Sequence, residues 1–115
     1  MPDPGSLAST ARGGVIITVE AETCWILPED ARSLIFSGQP APIFRSRSRR
    51  DPGGAVMGEV TIEGHAVLHP AGGRAVVIQT REGSWLIPLV TFRRVVRGEA
   101  ASAPLFPLSS GTGLL

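Results

Sequence analysis

A chain of 115 residues carrying eleven arginines, no lysine and ten acidic residues is near neutral and of one-domain size. Near neutrality supplies no strong field toward nucleic acid or an anionic membrane. The missing amine excludes a phosphate-loop lysine, a Schiff base and a lysine general base. Cys24 is alone, which excludes an intrachain disulfide and a thiolate metal cluster.

The opening stretch, MPDPGSLASTARGG, lacks both the basic start and the apolar centre of a signal peptide. No apolar run has the length needed to cross a bilayer, so a cytoplasmic protein is expected. Residues 1–13 are Pro, Gly, Ser and Ala without period and read as a disordered tail. Residues 15–20 are rich in β-branched side chains and read as a strand, followed by a polar turn and a second strand over 24–27. Pro28, Glu29, Asp30, Ala31 and Arg32 suggest a single helical turn, with proline early and acids at its positive end. Residues 33–36 are apolar again and should pack back on the hairpin. Residues 37–54, with Arg45, Arg47, Arg49 and Arg50, read as a loop. Short strands follow over 55–62 and 65–68, around a Glu63-Gly64 turn. A further hairpin over 75–80 and 85–87 leads to a bent strand, or a turn plus strand, over 89–96. Residues 99–115 read as a second disordered tail. The predicted domain is therefore 14–98, all-β, a barrel or sandwich of short strands.

Residues 15–38 and 75–98 repeat one pattern. Without a gap, Trp25 falls on Trp85, Pro28 on Pro88, Glu22 on Glu82 and Gly38 on Gly98, and apolar residues fall on apolar residues. A Pro-apolar-Phe tag follows each copy, Pro42-Ile43-Phe44 and Pro104-Leu105-Phe106, the second displaced by two residues. The pattern implies two similar half-barrels; convergence of two short hairpins is the alternative.

Little in the chain is built for chemistry. His65 and His69 lie four apart without further ligands at a recognised spacing. No Gly-x-Ser-x-Gly elbow is present. The glycine-rich stretch 53–58 lacks the strand before it and the helix after it that a phosphate cradle needs. Cys24 has no basic neighbour in sequence to lower its pKa. The Arg45–Arg50 cluster could grip phosphates, giving a small nucleic-acid-binding barrel as the rival reading, but no aromatic is interleaved to stack bases. Trp25 and Trp85 serve either the core or a partner surface.

The order of these segments resembles the CheW-like chemosensory coupling proteins. Residues 15–36 match the opening hairpin, Gln39-Pro40-Ala41-Pro42-Ile43 the proline-rich link, Gly58, Gly64 and Pro70 the spaced glycines and proline, and 75–96 the second hairpin. The resemblance implies a pair of small pseudo-symmetric β-barrels with no enzymatic activity and no cofactor. It also implies docking on the cytoplasmic tip of a methyl-accepting chemoreceptor, within receptor clusters, and on a histidine kinase. Glu63 stands where the family carries arginine, and the family's closing hairpin and helix have no counterpart, so a shortened adaptor is expected that keeps receptor contact and weakens kinase contact. An apolar groove flanked by arginines would hold the helical partner. Its candidate residues are Ile35, Phe36, Ile43, Phe44, Val60 and Ile62, with Glu63 beside them.

Overall fold

A computed structural model describes residues 5–19, 22–50, 52–54 and 56–108, the side chains of 47–50, 56 and 57 excepted. Seven strands run in chain order as an antiparallel meander: β1 (Ser6–Ser9), β2 (Val15–Val19), β3 (Glu22–Ile26), β4 (Ala41–Arg50), β5 (Val56–Leu68), β6 (Ala75–Thr80) and β7 (Gly83–Pro88). Two helices interrupt it, α1 (Pro28–Ser37) after β3 and α2 (Leu89–Val96) after β7. The chain then closes the sheet on itself. Strands β8 (Ser102–Pro104) and β9 (Phe106–Pro107) are separated only by Leu105, yet they pair with opposite edges, β8 with β1 and β9 with β7. One short segment thus joins both edges into a nearly closed barrel and removes the open strands that invite aggregation. Each inner face alternates with an outer one, so Leu7, Val15, Ile17, Ile26, Ile43, Ile78 and Ile87 fill a single core with Leu34 and Phe92 of the helices.

Several expectations are corrected. The tails are not unstructured throughout: residues 6–9 and 102–107 are strands of the sheet, while 1–4 and 109–115 lie outside the described residues. The arginine-rich loop is strand β4, paired with β5 from Ala41 opposite Ala66 to Arg50 opposite Val56. The Glu63-Gly64 turn is a bulge within one continuous strand, because Ile43 faces Gly64 while Phe44 faces Ile62. The stretches 33–36 and 89–96 are helical. α1 has proline in its first turn, then Glu29 and Asp30, and it ends at Gly38 with φ 71°. There the Gly38 amide donates to Leu34 O (3.1 Å), as in an αL closure, and the Gln39 amide donates to Ser33 O (3.4 Å). α2 is rich in valine and resembles a strand by propensity, but it buries Phe92, Val95 and Val96 on one face, and packing overrides propensity.

The duplication is present at a different register. Val19 and Glu22 flank the first hairpin turn and Thr80 and Gly83 the second, a displacement of 61 residues rather than 60. On that register Val15 corresponds to Val76, Ile17 to Ile78, Ile26 to Ile87, Ala31 to Phe92 and Leu34 to Val95, all buried. The Pro-apolar-Phe tags also correspond: Ile43 and Leu105 are both fully buried, and Trp25 faces Phe44 as Leu86 faces Phe106. The whole sheet is therefore two β-β-β-α-β halves, β1 to β4 and β5 to β9, in one continuous sheet rather than two separate barrels. Trp85 takes the inner position that Cys24 holds in the first half, whereas Trp25 lies on the outer face. Large residues of one half correspond to small ones of the other, Trp85 to Cys24 and Phe92 to Ala31, all four buried in the one core.

Candidate functional site

Registers assign the outer face directly. Ile16 lies opposite Trp25, Trp25 opposite Phe44 and Phe44 opposite Ile62, one apolar row across β2, β3, β4 and β5. The Trp25 and Phe44 rings stack with centroids 6.4 Å apart and planes at 28°. That stack leaves both half-buried, while Ile62 is 51% exposed and Val60, two residues along β5 on the same face, is 59% exposed. Alternation in a surface strand normally puts polar side chains outward, so this row is an exception that packing within the chain does not explain. A groove of about 420 Å³ continues from it, lined by Ala11, Ile16, Trp25, Leu27 and Pro28.

The candidate residues separate into three groups. Phe44, Val60 and Ile62 belong to the outer row. Ile35 and Phe36 lie elsewhere, at the end of α1, in a second groove with Arg12, Arg32 and Arg97. Ile43 faces inward and is fully buried, so it lines no surface. Ile16 and Trp25 are the row members that sequence reasoning did not place there. The signal was available, since Ile16 and Trp25 are the odd-face residues of a hairpin whose other face is filled by Val15, Ile17, Cys24 and Ile26.

Glu63 is also internal, its side chain 1% exposed. The bulge turns it inward, where Thr61 Oγ1 donates to Glu63 Oε1 (3.0 Å) and Arg45 Nη1 and Arg81 Nε each stand 3.8 Å from Oε2. Arg45 pairs in addition with Glu22. The chain Glu22–Arg45–Glu63–Arg81 ties β3, β4 and β5 to the β6–β7 turn. Its members point to structure: a carboxylate this buried holds the arginine in place instead of meeting a partner. Arg45 is committed to the network and so is not a free phosphate contact.

Cys24 is buried on the inner face, and burial pushes its thiol above its ordinary value of 9.0, with Arg45 opposing part of that rise. A protonated, inaccessible thiol is not a nucleophile. His69 Nδ1 accepts a hydrogen bond from the Ala71 amide (3.0 Å) and so shapes the turn after β5. Among the described residues no group of three His, Cys, Asp or Glu side chains gathers as a metal site, and no helix is long and apolar enough to cross a membrane. The arrangement offers surfaces for binding. Comparison with family models, with curated proteins and with solved structures returned no match.

Proposed function

We propose that this protein is a non-catalytic docking adaptor of the CheW-like chemosensory kind, binding the helical cytoplasmic tip of a chemoreceptor through the Ile16–Trp25–Phe44–Ile62 row. The observation that carries the reading is that row itself: four neighbouring strands present apolar side chains outward in register, with Val60 extending the patch. An amphipathic helix laid on such a patch removes its apolar face and that of the protein from water together. The stacked Trp25 and Phe44 supply rigid aromatic anchors of the kind that dominate interface energetics. Support from the sequence is the order of hairpin, proline-rich link, spaced glycines and second hairpin over 15–96. In this reading kinase contact is the weaker of the two, since Glu63 stands where the family carries arginine.

The test is calorimetric titration of the intact protein with a chemoreceptor cytoplasmic fragment and, separately, with the regulatory domain of a chemosensory histidine kinase. Val60→Glu and Ile62→Glu change exposed positions and leave the core intact. They are expected to weaken receptor binding at least about tenfold, since each puts an unpaired charge into a desolvated contact. Tight kinase binding without receptor binding, or receptor binding indifferent to both substitutions, contradicts the reading.

A further inference from the structure

The ends of α1 and α2 meet around a groove of about 260 Å³ that lies apart from the outer-face row. Ile35, Phe36 and Val96 form its apolar part, and the Phe36 side chain is largely in solvent, the residue being 74% exposed. Ile35 and Val96 are counterparts under the 61-residue correspondence, so both halves contribute to the groove. Arg12, Arg32 and Arg97 surround it, all exposed, and among the described residues no carboxylate lines it. Among the described residues Arg97 pairs with Glu99 at 3.9 Å, with both side chains half in solvent, a pair too weak to neutralise the rim.

We infer that this groove binds an acidic amphipathic helix of a partner protein, which sets apolar side chains against Ile35, Phe36 and Val96 and carboxylates against the three arginines. The chemistry follows from the lining. An apolar floor gains from burial of apolar side chains. Three guanidiniums around it repel one another until anions arrive, and each offers a planar fork that fits a carboxylate. The volume suits a few side chains, and its single aromatic provides no platform for successive bases, which a nucleic-acid strand would need. A partner helix with leucines at i, i+3, i+4 and i+7 and glutamates between them has the required faces.

Fluorescence anisotropy with the full chain tests this. Three labelled peptides about 18 residues long, five helical turns, carry leucine on one face and glutamate, glutamine or lysine on the other. The glutamate peptide is expected to bind at least about tenfold more tightly than the glutamine peptide, and to weaken as salt rises. Arg32→Glu combined with Arg97→Glu should remove that advantage, and Phe36→Ser should weaken binding of the glutamate peptide. Val60→Glu, on the outer-face row, should leave it unchanged, so a failure here is distinguishable from a failure of receptor docking. Equal binding of all three peptides, full binding by the charge-reversed variant, or preference for a labelled single-stranded oligonucleotide overturns the inference.

Discussion

Trp25 stacks on Phe44 at the outer face, while Trp85 is 3% exposed in the interior. Single-tryptophan variants separate them: in Trp85→Phe the remaining Trp25 should be quenched readily by acrylamide, and in Trp25→Phe the remaining Trp85 should be shielded. Equal quenching would contradict the opposite facing of the two rings. Gly64 is constrained by space. A Cβ there would lie 1.7 Å from Gln79 O, a backbone atom that cannot step aside. Gly64→Ala should therefore cost about 3 kcal/mol or more, as overpacking does at its upper end, whereas Gly58→Ala, with nothing within 4 Å, should be neutral or gain a few tenths of a kcal/mol. Urea midpoints measure both. Cys24 gives a pH dependence whose sign is fixed by its raised pKa. As pH rises past 9.0 the unfolded thiol loses its proton first, so stability is full below that value and falls above it. The chain has neither lysine nor tyrosine to titrate in the same range. Cys24→Ala should flatten the decline between about pH 8 and about pH 10, measured as the change in urea midpoint.

Among the elements, the hairpins were legible in the sequence and their register was not. Strands β2, β3, β6 and β7 stand where alternating β-branched runs place them. Aligning Trp25 with Trp85 is attractive because the chain has no other tryptophan, but it displaces the repeat by one residue, and one residue moves a strand's side chains to the opposite face. The pairs Ala31 and Phe92, or Cys24 and Trp85, differ too much in size to advertise their equivalence, since the fold asks only that their summed volumes fill the interior. Of the helices only the first turn of α1, at 28–32, was legible, for a related reason. α1 buries Ala31 and Leu34 at helical spacing within only ten residues, too short a window to stand out, and α2 is made of residues that favour strands when packing does not decide. Strand β4 was hidden by its charge. Arg45 and Arg47 alternate with Ser46 and Ser48 opposite β5, a pattern that looks like a solvated loop until the long partner strand is known. Glu63 shows the limit most plainly: nothing nearby in sequence reveals that Arg45 and Arg81 converge on it, and its place beside Val60 and Ile62 suggests a contact residue instead. Glu63→Gln keeps its shape and removes its charge; a loss of about 1–3 kcal/mol is expected in chemical denaturation, and no loss would show that the network contributes nothing.

At the scale of the molecule, two similar halves share one core and the segment 102–107 closes the ring. Ala103 and Leu105 in that segment are buried, and Leu105 donates its amide to Gly5 O (3.1 Å). Ending the chain after Ala101 would withdraw both side chains from the core and leave β1 and β7 as open edges. Such a protein should unfold at lower urea and self-associate as concentration rises, visible in light scattering, while a monomer of unchanged stability would show that the closure is incidental. Closure also bears on function, because with the edges occupied a partner meets the sheet on its outer face, where the Ile16–Trp25–Phe44–Ile62 row crosses four adjacent strands. The most direct measurement is amide NMR on the labelled, intact protein titrated with an unlabelled chemoreceptor tip. Docking on the row predicts saturable shifts at Ile16, Trp25, Phe44, Val60 and Ile62, including the Trp25 indole. The absence of shifts, or shifts confined to β6 and β7, would contradict it.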